Sequence, residues 1–171
     1  MKKEKMNDKG FSLVELIIVI AIMAVLVVVL APQYLKYVER SRNSTDMQNA
    51  TAVVTACQVY AADPEVTDNF TKGKFTITVK ASGAASVEGS NATAANAALA
   101  EAKILPSDLK CKSKTTWASY KIEGDVQDGG NIKFTYYSYT DKEGTGTDNK
   151  ALAAKMAGNE VKASEGEDVT P

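Results

Sequence analysis

The chain has 171 residues, 44% apolar and 24% charged, with 20 Lys and Arg against 21 Asp and Glu and a formal net charge of −1. That balance provides no electrostatic basis for a dedicated nucleic-acid binder. Histidine, the commonest acid–base and metal-binding side chain, is absent. The two cysteines, Cys57 and Cys111, are too far apart for a zinc pattern, and neither a phosphate-binding glycine loop nor a nucleophile elbow occurs. The sequence is therefore read as a non-enzyme with no cofactor and no metal ligands.

Residues 1–10 form a short basic leader in which Lys2, Lys3, Lys5 and Lys9 outweigh Glu4 and Asp8. Residues 11–31 follow as an apolar run broken only by Ser12 and Glu15. As a helix this run would span roughly 31 Å, close to the hydrocarbon thickness of a bilayer. The preceding lysines predict a cytoplasmic N-terminus and a single pass. A secretory signal peptide would have a shorter apolar region ending at a small-residue cleavage site. Here Val29-Leu30-Ala31 could imitate such a site, but Pro32 would follow the scissile bond. A plain signal anchor accounts for the hydrophobicity. It does not account for Glu15, nor for a Gly10-Phe11 junction placed before the apolar run. A carboxylate at a bilayer centre costs about 2.5–3.5 kcal/mol. Glu15 sits about 6 Å from the start of the run, so it can either snorkel or find a partner.

Gly10-Phe11-Ser12-Leu13-Val14-Glu15 resembles the prepilin signature of type IV pilins and pseudopilins. Ser12 stands where threonine is commoner. The resemblance implies that a prepilin peptidase cuts between Gly10 and Phe11 and methylates the new amino-terminus on Phe11. It implies that Glu15 is the assembly glutamate, pairing in the filament with the Phe11 ammonium of a neighbouring subunit. It also implies that Pro32 kinks the helix. A low-dielectric core strengthens such an ion pair and penalises an unpaired charge, which selects register. Head-to-tail contacts that do not close give a helical fibre.

Helix formers continue through residues 32–63. Met47, Ala50, Val54, Cys57 and Ala61 repeat at three- and four-residue spacing and predict a buried stripe. Glu39, Arg40, Arg42, Asn43, Asp46 and Asn49 are assigned to the opposite, polar side. Asp63-Pro64 predicts the helix end. Tyr34 and Tyr37 follow the apolar run and read either as an interfacial belt or as contacts to neighbouring subunits.

Residues 64–163 read as a globular head. Phe75-Thr76-Ile77-Thr78-Val79 alternates and predicts a strand. Asn91 to Lys103 is alanine-rich and predicts a short helix. Trp117 to Val126 and Ile132 to Thr140 predict a hairpin around Asp128-Gly129-Gly130-Asn131, and Ala151 to Ala157 a further short helix. Residues 164–171 form an acidic, loose tail. The expected fold class is α+β, with a long N-terminal helix, membrane-spanning in its first half, packed on an antiparallel sheet of three or four strands. Cys57 and Cys111 admit two readings. One is a bridge worth roughly 4 kcal/mol in an oxidising compartment. The other is two separate buried thiols. The C-terminal disulfide usual in the family has no second cysteine here. The oxygen-rich loop from Asp141 to Asn149 is read as a solvated glycine loop rather than a calcium site. Asn43, Asn69 and Asn91 begin N-x-Ser/Thr triplets.

The functional expectation is a structural pilus subunit for adhesion, motility or biofilm formation. The alternative is a pseudopilin or minor pilin of a type II secretion or DNA-uptake machine. By the resemblance, its partners are copies of itself, the prepilin peptidase, and a membrane assembly platform with its ATPase. The chain would lie in the cytoplasmic membrane before assembly and in an extracellular pilus afterwards. Scattered lysines could still support weak DNA contact in a filament.

Overall fold

The structure, a computed structural model, describes residues 11–66 and 69–157. The leader through Gly10 and the acidic tail 164–171 lie outside the described residues. The chain divides into two compact units between Val38 and Glu39. Helix α1 runs from Leu13 to Ala62, with Pro32 inside it. Pro32 has no N–H to donate, yet the helical assignment continues across it.

In the first unit, every described residue from Phe11 to Tyr37 is exposed. The second unit is α+β. It contains strands β1 (Gly73–Lys80), β2 (Ser86–Gly89), β3 (Ser119–Val126) and β4 (Ile132–Tyr139), and helices α2 (Ala92–Glu101) and α3 (Ala151–Met156). The sheet is antiparallel in the order β2-β1-β3-β4. Alternation turns Phe75, Ile77 and Val79 of β1 and Tyr120, Ile122 and Val126 of β3 inward. There they join Ala50, Val53, Val54, Cys57 and Tyr60 of α1, and Ala94, Ala95, Ala98 and Leu99 of α2, in one core. The long helix and a four-stranded antiparallel sheet thus form the pilin-like α+β arrangement expected.

The glycine inside β3 is sterically required. Gly124 lies opposite Phe75 in the ladder, and a Cβ there would come within 2.3 Å of the Phe75 ring. The space left by Gly124 lets that ring lie flat on β3 and meet Phe134 edge-on at 6.2 Å.

The hairpin forms where expected. The Gln127 N–H donates to Asn131 O (2.8 Å) and the Gly130 N–H to Gln127 O (3.1 Å). Gly129 and Gly130 take positive φ angles of 95° and 81°. Two strand ends differ from expectation. Strand β4 stops at Tyr139, and β3 starts at Ser119 because Trp117 belongs to the preceding loop, where its N–H donates to Ser113 Oγ (3.1 Å). Strand β2 has only four residues, mostly polar or glycine, and carries no legible alternation.

Candidate functional site

The first candidate is the N-terminal segment. Its helix begins with Ser12-Leu13-Val14-Glu15, the spacing of a capping box. The Ser12 N–H donates to Glu15 Oε2 at 2.8 Å, and the Leu16 N–H donates to Ser12 O at 3.2 Å. The carboxylate therefore satisfies an otherwise orphaned donor and sits at the positive end of the helix dipole. Behind it come Leu16, Ile17, Ile18, Val19, Ile20, Ile22 and Met23, then Val25 to Leu30, all exposed. The helix is long and apolar enough to cross a membrane. Phe11 is 88% exposed at the start of this segment. Gly10, the other half of the expected cleavage junction, lies outside the described residues.

The second candidate lies in the other half of α1 and differs from the sequence-based expectation. Glu39, Asn43 and Asp46, expected on the polar, outward side, are all buried, Asp46 completely. They extend the inward stripe in register, running 39, 43, 46, 50, 53, 57, 60 at three- and four-residue steps. The loop from Cys111 to Trp117 folds over them. Asp46 Oδ1 accepts the Lys112 N–H (2.8 Å). Its Oδ2 accepts the Ser113 N–H (2.9 Å), the Trp117 indole N–H (2.9 Å) and the Cys111 thiol (3.5 Å). Glu39 Oε1 accepts the Ser113 hydroxyl (2.6 Å) and the N–H groups of Lys114, Thr115 and Thr116 (2.9, 2.9 and 3.2 Å). Its other oxygen faces Arg42 Nη1 at 3.6 Å. Asn43 donates to Thr116 Oγ1 at 2.9 Å.

These carboxylates replace water as the loop's hydrogen-bond partner, which is why charged side chains survive burial here. Their protonation equilibria move in opposite directions. For Glu39, burial alone would raise the pKa. The Ser113 hydroxyl and the Thr115, Lys114 and Thr116 N–H groups outweigh it and hold the carboxyl at about 2. For Asp46, complete burial wins over bonds from Ser113, Lys112, Trp117 and Cys111, and its pKa is raised.

The same geometry corrects the expected bridge. Cys57 and Cys111 are both buried free thiols. The Cys111 sulfur is engaged at Asp46, whereas Cys57 lies about 16 Å further along the helix axis. Burial pushes the Cys57 thiol up to about 12, so it behaves as a small apolar residue. Among the described residues, no group of three or more acidic or sulfur side chains could hold a metal ion. In the loop after β4, Asp141 accepts the N–H groups of Thr145 (2.9 Å) and Gly146 (3.0 Å). Of the three N-x-Ser/Thr asparagines, Asn43 and Asn91 are buried. Asn91 links α2 to Thr71, accepting its N–H and donating to its carbonyl, both at 2.8 Å.

Comparison with known proteins addresses the first candidate. Residues 5–31 match the family model of the prokaryotic N-terminal methylation motif. Prepilin peptidase-dependent protein A of Clostridium perfringens (strain 13 / Type A) is 33% identical over 73 residues, covering 42% of this chain and 52% of that protein. A type IV major fimbrial protein FimA of Dichelobacter nodosus is 38% identical over 64 residues, covering 37% and 40%. Motif and relatives together support a type IV pilin. The chain thus spans about half or less of the length of the curated relatives it matches. No solved structure matches it significantly. The pilin-type segment is the exposed apolar half of α1; the buried carboxylates belong to the head.

Proposed function

We propose that this chain is the structural subunit of a type IV pilus, stored in the cytoplasmic membrane and then polymerised into an extracellular filament. The observation that carries this reading is the uncovered apolar surface of residues 13–31, with one carboxylate in its first turn. So large a patch requires lipid or copies of itself as cover. Prepilin peptidase cuts between Gly10 and Phe11 and methylates Phe11. A membrane platform and its ATPase extract the subunit, and Pro32 bends the helix where it leaves the core.

Glu15 has two successive tasks in this scheme. In the membrane, the Ser12 N–H and the helix dipole stabilise its charge. A carboxylate offers about four lone-pair sites, so the same group can also receive the ammonium of a neighbour's Phe11. That ammonium exists only after the leader is removed. Adhesion, motility or biofilm formation would follow from the fibre.

Glu15→Ala should leave membrane insertion and leader removal intact and abolish filaments in electron micrographs of sheared surface material. Normal filaments from that variant would contradict the scheme. Abundance separates the pilus subunit from a minor pilin or pseudopilin, because the subunit must dominate sheared fibres.

A further inference from the structure

Residues 109–114 alternate strictly in burial. Leu109, Cys111 and Ser113 point inward, and Lys110, Lys112 and Lys114 are exposed. The inward residues are fixed by the core and by Asp46 and Glu39. Those two carboxylates also hold the backbone N–H groups of Lys112 and Lys114. The loop is therefore pinned along its length, and its three lysines alternate with the inward residues and share one side. With Arg42, Ser41, Thr45 and Ala81 they line an open cavity of about 390 Å³. Arg42 also faces Glu39. Among the described residues, Lys110, Lys112 and Lys114 form no ion pair.

We infer that this lysine comb and its cavity form a binding site for a linear phosphodiester polyanion. Three ammonium groups at alternate residues around one cavity suit a ligand whose negative charges also repeat along a chain. The Ser41 hydroxyl supplies a neutral donor to a phosphate oxygen, whereas the Thr45 hydroxyl already donates to Ser41 O at 3.1 Å. The lining has no aromatic side chain, so bases have nothing to stack on, and recognition is of the backbone and independent of sequence. The whole-chain charge of −1 conceals the site because the acids balancing these lysines lie elsewhere or behind the loop. The inference does not depend on the pilus reading.

The test uses the full chain in detergent and a fluorescent oligothymidylate, with anisotropy followed against salt. For single strands the slope of log affinity on log salt is about 0.7 per phosphate neutralised. K110A/K112A/K114A should therefore flatten the slope by about 2 and weaken binding at least tenfold at low salt. The charge-matched variant K133A/K142A/K155A should retain wild-type binding. Unlabelled poly(glycerol phosphate) as competitor distinguishes a cell-surface polymer from nucleic acid as the source of the phosphodiester. Displacement by it, or binding of the oligonucleotide alone, each supports the site and names its ligand. Equal loss in both triple variants would overturn the inference. So would equal displacement, charge for charge, by poly-glutamate, or an absence of binding to both phosphodiesters.

Discussion

The two halves of helix α1 invert the usual rule of burial in opposite ways. From Leu13 to Leu35 the helix exposes leucine, isoleucine and valine; from Glu39 to Asp46 it buries two carboxylates and an amide. Among the described residues the exposed half has no cover within its own unit, and so large an apolar surface calls for lipid or other copies. The buried half finds its partners within its own unit: the 111–117 loop donates to both Asp46 oxygens and to Glu39 Oε1. Among the described residues, Glu39 Oε2 has only Arg42 nearby and Asn43 Oδ1 accepts no hydrogen bond. The first half is built to associate with other molecules, and the second fastens the head to the helix that carries it.

Breaking the fastening should have the largest effect on stability. Asp46→Ala would leave the Lys112 and Ser113 amides and the Trp117 indole without an acceptor. A loss of about 3–5 kcal/mol is expected, read by denaturant titration of the full chain. Gly124→Ala tests the sheet instead. Its Cβ must displace the Phe75 ring, at a cost of about 1–3 kcal/mol. Glu39→Gln keeps an acceptor for part of the loop but removes the charge, and about 1–2 kcal/mol is expected at neutral pH.

Acid sharpens the contrast between the two buried carboxylates. The Glu39 pKa is depressed in the fold, so its contribution is present above its ordinary value of 4.5 and is lost as pH falls toward about 2. The Asp46 pKa is raised, so its sign is opposite. Protonation favours the fold as pH drops through that raised value, and the cost of its charge returns as pH rises through it. Glu39→Gln should therefore flatten the stability loss between about pH 4.5 and 2, and an unchanged acid limb would contradict the assignment. The smallest effect concerns the cysteines. With both thiols free and buried, dithiothreitol should leave Tm unchanged, and alkylation should occur only on unfolding.

How legible each half was in the sequence follows from the same difference. The N-terminal segment could be read because its chemistry is local. Gly10, Phe11 and Glu15 lie in one short motif, and the apolar run needs no tertiary contact to be recognised. The hairpin was legible too, since Asp128-Gly129-Gly130-Asn131 encodes its own turn. Glu39, Asn43 and Asp46 are outward by residue type but inward by spacing. Their three- and four-residue steps continue the apolar stripe without a break, and that periodicity was the available signal. Nothing local revealed that a loop more than sixty residues later supplies their donors. The cysteine pair failed for a related reason, since both residues face inward but at different heights along the helix.

The most direct measurement is mass spectrometry of the N-terminus in sheared surface fibres. The mature chain should begin with N-methylated Phe11 and lack residues 1–10. Fibres or membranes holding only an uncleaved, unmethylated N-terminus would contradict it, because the ammonium assigned to Glu15 would then never form.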